Sequence, residues 1–228
     1  DPLRKAYWGE LHIHSTLSMD AWMWDVRGTP DEVYGFAKGE AIGLAPYGPD
    51  GKPQRKTQLE RPLDFASLTD HASYQGEVAL CTLPGSPRYD SRGCKMYRGE
   101  ILPEDPAGRE FAARMGAIAS AFDVANETPR RNPALCGANG EECRESMTKV
   151  WREQQAAADR HYDRSSACTF TTFNGYEYTA TPGLSKVHHN VIFRNEKVPA
   201  TPIAWVDYPD VYDLWGLLKE QCLEGKPG

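Results

Sequence analysis

The chain has 228 residues, a formal net charge of -6 and 40% hydrophobic side chains, enough for one large domain or two small ones with a buried core. With 25% charged and 11% aromatic residues and no low-complexity run, it does not have the composition of a disordered chain. No apolar stretch reaches the ~20 residues of a bilayer span, and the mildly acidic balance lacks the basic stripe that a nucleic-acid partner requires.

The first strand-like run is Tyr7 to His14. Thr29-Pro30-Asp31-Glu32 then reads as an N-cap, a first-turn proline and first-turn acids, opening a helix to about Lys38. Pro49-Asp50-Gly51 marks a turn, read as a hairpin inserted near residues 43–60. Leu63 to Thr69 is the second main strand. Two Pro/Gly-rich insertions that carry cysteines follow, near 83–106 and 127–140, with an Ala-rich helical pattern from Arg109 to Val124 between them. Glu142 to Tyr162 sets Met147, Val150, Trp151 and Ala158 at helical spacing. Strands Thr169 to Thr179 and Val187 to Arg194 come next, then a helix from Asp210 to Cys222. Strands alternating with helices predict an α/β domain with a mostly parallel sheet.

Of the six cysteines, Cys81 and Cys94 flank one turn-rich loop, and Cys136 and Cys143 bracket another. Short loops of that kind are stapled by disulfides in oxidising compartments. Neither pair has the C-x₂₋₄-C spacing that zinc prefers, and incidental cytosolic thiols are the other reading. Connectivity stays open at this level. A periplasmic or extracellular location is expected. The sequence shows no charged-then-apolar leader, so an export signal would have been removed or lie outside it.

The chemistry centres on Gly9-Glu10-Leu11-His12-Ile13-His14-Ser15. In a strand, His12 and His14 share one face, where two imidazoles can ligate one divalent ion or two neighbouring ones. Thr69-Asp70-His71 closes the second strand, at the carboxyl end where α/β folds gather ligands. His71 fits a ligand there, with Asp70 either a ligand itself or a residue that orients an imidazole; an N-cap is the other reading. Glu177, between Tyr176 and Tyr178, is a carboxylate that a strand interior must pair or coordinate. In Val187-His188-His189-Asn190, alternation puts His188 on the face of Asn190 and Arg194, which makes His188 rather than His189 the ligand. Asp20 lies in the loop after the first strand. Arg194 is the candidate fork for an anionic substrate group. His161 reads as surface, and Trp22 with Trp24 as packing or a pocket wall. Several imidazoles with two carboxylates suit zinc, manganese or iron, and are too many for one four-coordinate ion.

These residues resemble the polymerase and histidinol phosphatase (PHP) superfamily of metal hydrolases. The likeness rests on His12-x-His14-Ser15, Thr69-Asp70-His71, Glu177 and His188. It is closer still to an uncharacterised, often exported bacterial branch, through Tyr7-Trp8-Gly9-Glu10-Leu11-His12, Glu177-Tyr178-Thr179-Ala180-Thr181-Pro182-Gly183 and His188-x-Asn190-Val191-Ile192-Phe193-Arg194. The resemblance implies a distorted (β/α)7 barrel and a trinuclear site on His12, His14, Asp20, His71, Glu177 and His188, with Glu177 bridging. It implies hydrolysis of a small anionic phosphoester by a metal-bound hydroxide, with two or three divalent ions as cofactors. Another ester or an amide, for example a sulfate ester, is the alternative, as is a non-catalytic binding module stabilised by metal. The later motifs of that superfamily, a further His and an Asp-x-His, have no counterpart after Arg194, since Asp159-Arg160-His161 precedes Glu177. The chain is therefore expected to be the N-terminal portion of a single barrel domain, partnered by a missing C-terminal part that a separate chain could supply.

Overall fold

The computed structural model describes residues 5–101, 115–119, 122, 128–182 and 185–224. Its main sheet contains β1 (Gly9–Ile13), β4 (Phe65–Leu68), β5 (Thr171–Ala180) and β6 (Val187–Phe193), in that spatial order. β4 pairs in parallel with β1 and with β5, while β6 runs antiparallel to β5. β2 (Ile42–Tyr47) and β3 (Pro53–Thr57) form a separate antiparallel pair around the Asp50-Gly51 turn. The helices are α1 (Met19–Met23), α2 (Pro30–Ala37), α3 (Gln75–Thr82), α4 (Arg92–Tyr97), α5 (Pro133–Cys136), α6 (Glu141–His161) and α7 (Val211–Leu218), the last running into a π-helical turn at Lys219–Leu223. Most of the Arg109–Val124 helix lies outside the described residues; 115–119 are helical.

Local chemistry accounts for these boundaries. α2 starts at a complete capping box, in which the Thr29 side chain accepts from the Glu32 backbone and Glu32 reaches back to Thr29. α6 buries Cys143, Met147, Val150, Trp151, Gln154, Ala157 and Ala158 along one stripe. Trp151 is fully buried against Tyr176 and Phe193, and its indole N–H donates to the Pro199 carbonyl at 2.9 Å. Removing a side chain of that size from a packed core costs roughly 3–5 kcal/mol. α3 packs so closely on α6 that a Cβ at Gly76 would lie 1.9 Å from the Cys143 carbonyl oxygen. Cys81 is bonded to Cys94, and Cys136 to Cys143. Cys168 and Cys222 are free thiols.

The expected (β/α)7 barrel is corrected by this topology: the protein is a mixed α/β fold built on a four-stranded half-barrel and a small two-stranded sheet. The decisive connection is the one between β5 and β6. Six residues, 181–186, separate Ala180 from Val187. A parallel crossover needs a dozen or more, so the chain returns antiparallel and the alternation of strand and helix stops there. The half-barrel is strongly curled. Three strand spacings of about 4.8 Å would hold β1 and β6 roughly 14 Å apart in a flat sheet. Here the Asn190 side chain of β6 donates to the Leu11 carbonyl of β1 at 3.2 Å.

A candidate metal centre in the half-barrel

The curl turns one face of the sheet inward, and the carboxyl ends of β1, β4 and β5 meet the start of β6 there. Glu177 occupies the middle. β5 carries it between Tyr176 and Tyr178, both buried on the opposite face, and its own side chain is fully buried. His71 follows β4 and bridges to Glu177 in parallel, fixed by Ala72 N–H donating to the Glu177 carbonyl at 2.9 Å and Glu177 N–H donating to the Asp70 carbonyl at 3.0 Å.

Four imidazoles surround that carboxylate. His12 Nε2 is 3.0 Å and His14 Nε2 3.2 Å from Glu177 Oε2. His71 Nδ1 is 3.3 Å from Glu177 Oε1, and His188 Nδ1 abuts the same oxygen. Asp20, in α1, reaches His14 Nδ1 and His71 Nε2, each at 3.3 Å. Three overlapping groups result: His12, His14 and Glu177; His14, Asp20 and His71; His71, Glu177 and His188. Within each group the ligand atoms lie within 4.8 Å of one another. All six sequence candidates for metal ligation thus converge. A fourth group, Glu77 with Cys136 and Cys143, offers no thiolate, because the two sulfurs are bonded together and Glu77 is held by Arg131.

Asp70 touches none of the rings. Its fully buried carboxylate accepts from the Ser15 backbone N–H at 2.5 Å, the Ser15 hydroxyl at 2.6 Å and the Gln154 amide at 2.7 Å. It thereby fastens the end of β1, and His14 with it, to α6. Arg194 is not brought to the cluster. It lies exposed beyond the far end of β6, six residues or about 20 Å of strand rise from His188, and lines a separate cleft with Asp159, Tyr162 and Phe173. His189 faces away and packs against the Tyr178 ring. His161 stacks on Tyr34 and faces Asp31, and Trp22 lies under the Arg27 guanidinium at 3.7 Å.

Sequence reasoning missed the groups that hold this arrangement. Ser18 contacts His14 and Asp20, Thr179 contacts His71, and Gln154 holds Asp70 from α6. Thr179 was within reach, since it stands two residues from Glu177 and so shares its face of β5. Ser18 and Gln154 sit in a turn and on a distant helix, where no periodicity flags them.

The electrostatics follow from packing ionisable groups out of water. Burial opposes charge on His14, yet the carboxylates of Asp20 and Glu177 outweigh it and raise its pKa to about 10. His71 is likewise raised against the opposition of burial, by Asp20 and Glu177. Burial also opposes ionisation of Asp20 and Glu177, but the imidazoles hold both carboxyls well below the usual carboxylate range. His188 is lowered, chiefly by burial. Asp70 is raised, also chiefly by burial. His188 Nε2 is buried with no hydrogen-bond partner among the described residues, and buried Glu177 Oε1 has the His71 and His188 rings against it.

The profile of a family described as "Protein of unknown function (DUF3604)" matches residues 1–226 of the chain. No curated protein and no solved structure matches it.

Proposed function

We propose that this chain, which belongs to the DUF3604 family, holds two or three divalent ions of zinc, manganese or iron and hydrolyses phosphoesters with them, as its resemblance to the PHP metal hydrolases implies. One observation carries the reading. The fully buried Glu177 carboxylate is contacted by four imidazoles and, among the described residues, by no lysine or arginine. A buried carboxylate needs compensating positive charge. Imidazoles supply that charge only when protonated, whereas neutral imidazoles beside a carboxylate are a donor set for borderline cations. The unpartnered His188 Nε2 fits the same use.

His12, His14, Asp20, His71, Glu177 and His188 would hold the ions. Bound there, such ions supply an acidified water and positive charge against the oxygens of an ester under attack. The protein keeps the site in register. Asp70 clamps Ser15, the residue after His14, and the β4–β5 pairing keeps His71 beside Glu177. Arg194 is too far away to anchor a substrate at this cluster. The two disulfides support a location in an oxidising compartment, periplasmic or extracellular.

The test is metal analysis of the purified chain, then chelation and metal add-back against aryl phosphate monoesters and diesters. Activity should vanish with the metal and return with it; hydrolysis that survives complete removal refutes the proposal. Glu177→Gln should lower both the number of ions bound and the hydrolytic rate, by at least about a hundredfold in rate if the ions supply the attacking water.

A further inference from the structure

His14 and His71 each belong to two of the three overlapping ligand groups, so which ion each can serve depends on which ring nitrogen is free. The hydroxyls beside them settle that by proton counting. A serine hydroxyl has one proton to give and two lone pairs to receive with. Ser18, fully buried, gives its proton to Asp20 Oδ1 at 2.9 Å and accepts the His71 backbone N–H at 3.2 Å. Its remaining contact, 2.7 Å from His14 Nδ1, can therefore only be accepted from an Nδ1–H. Thr179 donates to the Glu177 carbonyl oxygen at 3.3 Å, which leaves its hydroxyl an acceptor towards His71 Nδ1 at 2.6 Å. Carboxylate oxygens reinforce both assignments, since Asp20 Oδ1 lies 3.3 Å from His14 Nδ1 and Glu177 Oε1 lies 3.3 Å from His71 Nδ1.

We infer that Ser18 and Thr179 are positioning residues that pin the ring protons of His14 and His71 on Nδ1, so that each ring offers a cation only its Nε2 and neither can be shared between two ions. The inference rests on the metal-centre reading above. It separates the overlapping groups. His14 Nε2 points at Glu177 Oε2 and joins His12, whereas His71 Nε2 points at Asp20 Oδ2. A group that would draw on either Nδ1 loses that ligand. A partner of this kind on a metal-ligating imidazole typically changes metal affinity by about tenfold to a hundredfold.

The experiment uses the full chain loaded with zinc. Zinc affinity is measured by chelator competition, and the protonated nitrogen of each histidine by NMR on ring-nitrogen-labelled protein. Thr179→Val keeps the shape and removes the hydroxyl; Thr179→Ser restores it; Ser18→Ala is the parallel variant for His14. The expected result is Nδ1–H on both rings in the wild type, with affinity about ten- to a hundredfold weaker in Thr179→Val and recovered in Thr179→Ser. Zinc bound through Nδ1 of either ring, or Thr179→Val binding zinc like the wild type, overturns the pinning while leaving the metal centre standing. A wild-type chain that binds no zinc, manganese or iron overturns the metal centre itself and this inference with it.

Discussion

At the scale of single residues, His14 ties the cluster to pH. Its pKa is raised to about 10 from an ordinary 6.5, so without metal its contribution to stability is complete below pH 6.5 and is lost as pH rises towards 10. Asp20 and Glu177 are lowered, so their contribution is present above the ordinary carboxyl range and is lost as pH falls below it towards their lowered values. A cation entering at His14 Nε2 must displace a proton at neutral pH, so apparent metal affinity should climb with pH, by about tenfold per unit for each proton released. The two trends oppose each other. Thermal midpoints recorded in chelator should fall from pH 6.5 to 10, while calorimetric metal affinity rises over the same interval. Parallel trends would mean that His14 is not where the cation binds. Much of this residue-level picture was legible, because strand alternation separates His188 from His189 and places His12 beside His14. Asp20 carried only a weak signal, since one carboxylate in a loop is ordinarily exposed. Arg194 misled because sharing a face with His188 says nothing about distance along the strand.

Among elements, α3 and α6 meet at a close junction. The obstacle to a side chain at Gly76 is the Cys143 backbone, which cannot rotate aside. Gly76→Ala should therefore destabilise by about 3 kcal/mol, at the upper end of overpacking costs, in denaturant titration. A second junction is ionic. Arg131, in the turn-rich segment before α5, donates to both oxygens of Glu77 at 2.8 Å and to Asp207 at 2.6 and 3.0 Å, with Arg144 joining at Asp207. Removing the guanidinium leaves Glu77 fully buried without a counter-charge and Asp207 with Arg144 alone, so Arg131→Met should cost about 3–5 kcal/mol, read by the same titration. Neither junction was visible in the sequence, because a close helix approach and a buried ion cluster depend on chain segments meeting in space. The capping box of α2, the stripe of α6 and all four main strands were visible, since those signals are local. The β5–β6 reversal was also written in the sequence, as a link too short for a crossover, but the general alternation of strands with helices masked it.

For the molecule as a whole, the two disulfides close short loops with separations of 13 and 7 residues. By loop entropy each stabilises by about 2–3 kcal/mol. Reduction should lower the unfolding midpoint substantially, and the loss should divide between Cys81→Ala/Cys94→Ala and Cys136→Ala/Cys143→Ala double variants. A midpoint unmoved by reduction would show that the loops are already ordered in the unfolded chain. The curled sheet has a consequence of another kind. Among the described residues its rim between β1 and β6 is fastened by one exposed carboxamide, that of Asn190, where every inner seam is a backbone ladder. Deuterium uptake should accordingly be quick along the outer margin of β1 and slow in β4, which is laddered on both flanks and surrenders its protons only when the entire molecule melts.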